Sequence, residues 1–155
     1  MTIQTLEPII RELPFFQGME DRHLEVITGC AKNVRFADEE TIFREGDAAD
    51  QFYLVHEGLV SVQFMIPHRG LTTVLTVGEG DVVGWSWLFP PYRCHFDARA
   101  QRATHALVFD GKCLRTKCEN DHDLGYEIFK RFLAVITERL ESTRLQLLDL
   151  YGNRA

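Results

Sequence analysis

The residues whose chemistry could serve a function concentrate between positions 84 and 100. Within this segment Ser86, Arg93, Cys94 and His95 offer a hydroxyl, a guanidinium, a thiol and an imidazole. The pair Cys94-His95 has metal-ligand character, but a metal ion would need further ligands from elsewhere in the fold, and we predict no metal site. The sequence contains no GxSxG elbow, Walker loop or carboxylate pair at catalytic spacing, so it indicates a binding protein rather than an enzyme.

The same segment is rich in aromatic side chains. They are Trp85, Trp87, Phe89, Tyr92 and Phe96, and Pro90-Pro91 stiffens the chain between them. Aromatic rings bring a large apolar area with few polar atoms, so they either fill a core or line a pocket for a flat, apolar ligand. The residue types alone leave both interpretations open.

These residues lie in a region of predicted short strands. From about residue 34 to residue 110, runs of β-branched and aromatic residues alternate with glycine or proline corners. The predicted strands cover 41–43, 51–55, 59–64, 72–77 and 106–109. Two corners share the sequence Glu-Gly-Asp, around Gly46 and Gly80, where glycine can adopt positive φ. Short strands with tight corners predict a small antiparallel barrel or jelly roll.

Helical periodicity flanks the predicted strands on both sides. Residues 1–33 are predicted to be mainly helical, with Leu24, Ile27 and Ala31 on one helix face. Residues 111–155 are predicted to form a short helix over 111–117 and a long helix from about 123 to 151.

An apolar seam runs along the long helix at alternating steps of four and three residues. Its members are Phe129, Leu133, Ile136, Leu140, Thr143, Leu147 and Leu150. Heptad spacing is typical of a helix that pairs with a second helix, and the charges off the seam, Arg139 among them, are balanced. A helix packed lengthwise on its own barrel is the alternative, but at 1.5 Å per residue this helix is about 40 Å long, which exceeds what a small barrel covers. We therefore predict a homodimer joined through the seam.

Four segments carry a family resemblance. They are Leu-Pro-Phe-Phe at 13–16, Ile-Phe-Arg-Glu-Gly-Asp at 42–47, Phe-Tyr-Leu-Val-His-Glu-Gly-Leu-Val-Ser-Val at 52–62 and Gly-Glu-Gly-Asp-Val-Val-Gly at 78–84. In this order they resemble the cyclic nucleotide-binding domain of the Crp/Fnr regulator superfamily. The resemblance implies a mainly β fold with flanking helices: an eight-stranded jelly-roll β-roll, or double-stranded β-helix, followed by a long C-terminal dimerisation helix.

The resemblance also implies a ligand-binding cassette over residues 84–100. In the family, a glycine, a glutamate after it and an arginine about ten residues further on hold the ribose and the cyclic phosphate. Gly84 matches the glycine, but Trp85 stands at the glutamate position and Cys94 at the arginine position, with His95 behind it. An indole cannot accept a hydrogen bond from a ribose hydroxyl, and a thiol carries no positive charge. We predict weak or no binding of cyclic AMP or cyclic GMP.

Two hypotheses remain for this divergent cassette. Either its aromatic rings fill the space of a nucleotide, or a reshaped pocket takes a flatter, more apolar effector held by Ser86, Arg93 and His95. Arg93 comes one residue early, so strand alternation predicts that it points to the opposite face. Thr143 either fixes the register of paired helices or contacts a purine-bearing ligand across the dimer.

Composition and charge narrow the functional class. The chain has 155 residues and a formal net charge of −6, which fits one ordinary domain and disfavours a sequence-independent grip on nucleic acid or anionic membranes. The sequence shows neither a signal peptide nor a long apolar run, and its four cysteines are expected to be reduced thiols.

We therefore expect a cytoplasmic regulatory module whose partner is a small-molecule effector or another protein, and no membrane partner. Because the chain stops soon after the long helix, we also expect that it lacks a helix-turn-helix and does not itself bind DNA. The alternatives are the sensor half of a longer Crp/Fnr-type transcription regulator and a ligand-free protein-interaction module.

Overall fold

A computed structural model of the chain describes residues 3–152. The helices are α1 (Ile3–Glu12), α2 (Asp21–Thr28), α3 (Gly111–Asn120) and α4 (His122–Gly152), and 3-10 turns span Pro14–Phe16 and Ser86–Leu88. The strands are β1 (Ala31–Phe36), β2 (Thr41–Phe43), β3 (Gln51–Glu57), β4 (Val60–Ile66), β5 (Gly70–Val77), β6 (Val82–Val83), β7 (Asp97–Ala100) and β8 (Thr104–Asp110).

The strands form two four-stranded sheets. Neighbouring strands follow the order β1-β8-β3-β6 in the first sheet and β2-β7-β4-β5 in the second, and each neighbouring pair is antiparallel. The Glu-Gly-Asp corners behave as predicted, because Gly46 and Gly80 have φ of 90° and 85°. The predicted mainly β roll with flanking helices and a long C-terminal helix is confirmed.

Two buried clusters hold these layers together. In the first, the helices pack on the first sheet, where Phe52 and Phe109 stack with ring centroids 4.5 Å apart and Phe132 of α4 meets Phe52 edge-on. In the second, side chains such as Val55 fill the space between the sheets. Trp85 packs against both clusters, so the cassette is built into the core of the fold.

The β-roll begins earlier than the predicted position 34. Ala31 lies four residues after Ile27 and so imitates the next position on the face of α2. The helix instead ends at Thr28, and Gly29 caps it by donating its N–H to the Glu25 carbonyl at 3.1 Å. Ala31 then pairs with Phe109 in the antiparallel ladder of β1 and β8, so it starts a strand rather than continuing the helix.

The long helix docks on its own domain through its first half. Leu124, Ile128 and Phe132 of α4 are buried, whereas Leu133 and Leu140 are 64% and 67% exposed. Phe129, Leu147 and Leu150 of the predicted seam are also exposed, and Ile136 is half-buried. Packing against its own barrel therefore accounts for the start of α4 and leaves most of the apolar seam uncovered. Within residues 3–152, no helix combines the length and the apolar character that crossing a membrane requires.

Candidate ligand pocket

The cassette starts where β6 ends. Gly84 follows this strand with φ of 95°, a left-handed conformation that favours glycine. The chain then forms the 3-10 turn Ser86–Leu88 and passes through Pro90-Pro91. It returns to the sheet through an antiparallel bridge between Ala48 and Arg93 before β7 begins.

The cassette aromatics divide between core and surface. Trp87 is 1% exposed and stacks on Phe52 with ring centroids 5.0 Å apart, and Phe96 is equally buried. Phe89 is exposed, whereas the Tyr92 ring lies 4.0 Å from the Arg115 guanidinium in a cation–π contact. The burial of Trp87 and Phe96 is what the core-filling interpretation expects.

Trp85 has a different role from the buried rings. It is half-buried and packs against Phe96 at 5.1 Å, and it also borders a cavity of about 290 Å³ between the second sheet and α4. We call this space the α4 cavity. Its lining residues are Val62, Phe64, Val74, Leu75, Trp85, Arg139, Ser142, Thr143 and Gln146. The sheet and Trp85 supply apolar walls, while the α4 residues supply polar groups, which is the usual division in a small-molecule site.

Arg139 gives the α4 cavity a cationic group. Its Nη2 donates to the carbonyl of Val82, while its Nη1 is buried and has no hydrogen-bond partner among the described residues. Burial lowers the pKa of Arg139, and the nearby Asp81 and Glu138 carboxylates oppose that shift. A buried guanidinium nitrogen without an acceptor is costly, and an anionic ligand that reached it from the cavity through a small shift of the Arg139 side chain would supply one.

The structure brings together some of the predicted cassette residues. Ser86 is buried, and its Oγ lies 2.8 Å from Nδ1 of His95, whose side chain is exposed. Arg93 is also exposed, and its Nη1 lies 3.5 Å from the Gly46 carbonyl. None of these three lines the α4 cavity.

Cys94 lines a second cavity and not the α4 cavity. This space of about 320 Å³ is also lined by Tyr53, Asp47 and Asp50. Burial, together with the carboxylates of Asp47 and Asp50, raises the pKa of the Cys94 thiol to about 11. A neutral thiol beside two carboxylates offers no favourable site for a phosphate.

Thr143 lies in the α4 cavity of its own chain, where its hydroxyl donates to the Arg139 carbonyl at 2.9 Å. Arg139 precedes it by four residues, a spacing that places both on one face of a helix. Heptad spacing places Arg139 among the balanced charges outside the seam and does not predict its place in the cavity. Its spacing from Thr143 is the signal that could have revealed it. Among residues 3–152, no group of three or more His, Cys, Asp or Glu side chains is arranged to hold a metal ion.

Comparison with known proteins identifies related sequences. The model of the cyclic nucleotide-binding domain family matches residues 33–121. A CRP-like cAMP-activated global transcriptional regulator of Mycobacterium tuberculosis is 27% identical over 145 residues, which cover 94% of this chain. The chain spans 63% of the length of that curated relative.

Solved structures show the same architecture. A cyclic nucleotide-binding protein of Geobacter metallireducens has a TM-score of 0.77 and 27% identity, with 90% of this chain and 98% of that chain covered. A cyclic nucleotide-binding domain of Methylobacillus flagellatus has a TM-score of 0.78 at 20% identity, covering 94% and 82%. The catabolite activator protein of Thermus thermophilus has a TM-score of 0.70 at 20% identity, covering 88% and 62%. The last two likenesses concern the fold alone.

Proposed function

Because the chain belongs to the cyclic nucleotide-binding domain family, we propose that it is a sensor whose small-molecule effector binds in the α4 cavity. The domain is a regulatory module of the Crp/Fnr type, and its family is not catalytic. The observation that carries the proposal is that Arg139, whose Nη1 is buried and has no partner among the described residues, lines a cavity with apolar walls. Its effector is an organic anion with a flat, apolar body.

The cavity chemistry supports this class of effector. Trp85 and the apolar side chains of β4 and β5 offer contact area to a ring or hydrocarbon body. Arg139 offers a charge-assisted hydrogen bond to a carboxylate or phosphate, and such bonds are strongest where water is excluded. Ser142 and Thr143 add hydroxyls beside it, so polar specificity comes from α4.

Cyclic AMP and cyclic GMP are weak ligands or non-ligands on this proposal. Trp85 replaces the acceptor for the ribose hydroxyl, and Cys94 replaces the cassette cation. The carboxylates of Asp47 and Asp50 beside Cys94 further disfavour a phosphate there. A cyclic nucleotide would therefore have to bind without the cassette groups that its family uses.

The uncovered seam of α4 supports a homodimer. Leu133, Leu140 and Leu147 expose about half or more of their surface to solvent along one face of the helix. Paired helices would remove that apolar area from water, and the resulting free energy offsets the cost of association. The α4 cavity and the seam share Thr143 on one helix, so an effector can shift the population between two packings of that helix.

Two further candidates each have an observation in their favour. The chain spans 63% of the length of a curated transcriptional regulator, which favours the sensor half of such a regulator, with DNA binding by residues outside this chain. The burial of Trp87 and Phe96 favours a ligand-free protein-interaction module. Ligand binding separates the second candidate from the sensor.

A thermal-shift and calorimetric screen tests the sensor. The panel holds cyclic AMP, cyclic GMP, aromatic carboxylates and aryl phosphates, and an effector present at about 100 times its Kd stabilises the fold by about 2.7 kcal/mol. The Arg139→Gln variant should lose this shift, whereas Arg144→Gln, which alters an exposed arginine on the same helix, should keep it. A ligand that stabilises both variants equally, or no aromatic anion that stabilises the wild type, contradicts the proposal.

A gain-of-function variant tests the cassette. Trp85→Glu combined with Cys94→Arg restores the acceptor and the cation that cyclic nucleotide binding uses in the family. We expect cyclic AMP or cyclic GMP to bind this variant at least tenfold more tightly than the wild type in calorimetry. Each single variant serves as a control, and unchanged binding in the folded double variant would show that other positions cause the weak affinity.

A further inference from the structure

Two cysteines from distant parts of the chain meet at the junction of the N-terminal helices and α3. The Sγ atoms of Cys30 and Cys113 lie 3.4 Å apart although the residues are 83 positions apart in sequence. Cys30 stands between α2 and β1, and Cys113 lies in the first turn of α3. The two thiols therefore bring into contact the segments that precede and follow the β-roll in the sequence.

Rigid elements hold both residues in place. The Cys30 carbonyl accepts from the N–H of Asp110 at 2.9 Å, and the Asp110 carboxylate caps α3 by accepting from the N–H of Cys113 at 3.0 Å. A disulfide bond is about 2.05 Å long, so the sulfurs must approach by roughly 1.3 Å, a distance within reach of rotation about the Cα–Cβ bonds.

The surroundings of Cys30 and Cys113 favour the reaction of one of these two thiols with a small oxidant. Lys117 places its Nζ 3.6 Å from the Cys30 Sγ, and although burial alone lowers the pKa of Lys117, its interactions with both sulfurs raise it overall. A nearby ammonium stabilises a thiolate. Cys30 is buried, and burial raises the pKa of its thiol to about 11. Cys113 is half-buried, so it is the thiol that a small oxidant reaches first.

We propose that Cys30 and Cys113 form a reversible modification site, an intramolecular disulfide made when the protein meets a peroxide. The Cys113 thiolate attacks one peroxide oxygen, the O–O bond breaks, and the product is a sulfenic acid while hydroxide leaves and takes up a proton. The Cys30 sulfur then attacks the sulfenic sulfur, and a second water leaves. Two thiols and one hydrogen peroxide thus give one disulfide and two waters.

The bond would tie α3 to the start of the β-roll. Arg115 of α3 donates to the Trp87 carbonyl at 2.6 Å, so this helix is already attached to the cassette. A disulfide closing a loop of this length restricts the unfolded chain strongly, and the oxidised protein should melt several degrees higher than the reduced protein. This inference is independent of the α4 cavity and of its ligand.

Thiol titration and mass spectrometry of the full chain test the site. After mild hydrogen peroxide treatment, two of the four cysteine thiols should be lost, the intact mass should fall by two hydrogens, and peptide mapping should join Cys30 to Cys113. Dithiothreitol should restore all four thiols. A variant carrying Cys94→Ser and Cys118→Ser should behave like the wild type, whereas Cys113→Ser should form no disulfide.

Two outcomes would overturn the proposal. One is retention of all four thiols, or their conversion to sulfinic acids, under conditions that oxidise a free thiol peptide to a disulfide. The other is a disulfide that maps to a different pair. Because Cys113→Ser changes a half-buried side chain, Lys117→Gln provides a second variant that keeps both thiols. It should slow disulfide formation several-fold at pH 7 with an unchanged circular dichroism spectrum, and an unchanged rate would remove Lys117 from the mechanism.

Discussion

The seam of α4 allows a quantitative test of dimerisation through Leu140→Glu. Leu140 is 67% exposed in the single chain and lies in the middle of the predicted seam. Burying a leucine completely contributes about 1.5–3 kcal/mol, so covering the exposed two thirds contributes about 1–2 kcal/mol. In a symmetric dimer both protomers lose this contribution, which gives about 2–4 kcal/mol before any repulsion between the new carboxylates.

This loss converts directly into dimer affinity. At 1.4 kcal/mol per tenfold change, the dissociation constant of the dimer should rise by about 30- to 700-fold. Sedimentation velocity over a range of concentrations measures the change as a shift from dimer to monomer. The first half of α4 should keep its packing because Phe132 remains buried in the unchanged domain, so the circular dichroism spectrum should stay the same.

Leu145→Glu is the matched control. Leu145 is 58% exposed on the same helix but lies five residues from Leu140, outside the heptad seam. This variant should sediment like the wild type. An unchanged sedimentation coefficient for Leu140→Glu, or equal loss of dimer in both variants, would refute the seam as the contact between protomers.

Three further predictions concern the fold. Gly58→Ala should lower the unfolding free energy by more than about 2 kcal/mol in urea titrations, because a Cβ there would lie 2.4 Å from the Thr104 Oγ1. Gly46 also has a positive φ but has open space around it, so Gly46→Ala should cost about 1 kcal/mol. Equal costs for the two variants would contradict the close approach at Gly58. Phe132→Ala should cost about 3–5 kcal/mol in the same assay, and a cost below 1 kcal/mol would show that α4 docks weakly.

Burial lowers the pKa of His105 below its usual 6.5, so the unfolded state binds more protons at this residue than the folded state does. The unfolding free energy should therefore fall as the pH drops below about 6.5, and His105→Gln should flatten that dependence on pH. An equal slope in both proteins would contradict this prediction.

The fold was largely predictable because its strongest signals are local. The runs around Thr41–Phe43 and along α4 carry their periodicity within a few residues. The strand at Ala31 and the two-residue strand Val82–Val83 were not predicted. Ala31 continues a helical spacing, and two residues are too few to display alternation, so both strands depend on pairing with distant partners such as Phe109 and Tyr53.

The candidate site was also predictable only in part from the sequence. The departures at Trp85 and Cys94 are visible in the sequence because the missing acceptor and the missing cation are properties of single side chains. The place of Arg139 depends on how α4 crosses the second sheet, which the burial of Ile128 and Phe132 decides. Spacing alone places Arg139 among the solvent-exposed charges of the helix, whereas tertiary packing places it in the lining of the α4 cavity.

The position of Arg139 bears on how effector binding in the α4 cavity would affect the rest of the protein. Nη2 of Arg139 holds the Val82 carbonyl at the entrance to the cassette, and an effector anion on Nη1 would strengthen the link between the cassette and α4. Leu140, the next residue, belongs to the seam, so the effector and the partner protomer act on adjacent residues of one helix. Linkage is reciprocal, so if an effector tightens the dimer, dimerisation tightens effector binding by the same factor. On this proposal, Leu140→Glu weakens effector binding as well as dimerisation, although its side chain does not line the cavity.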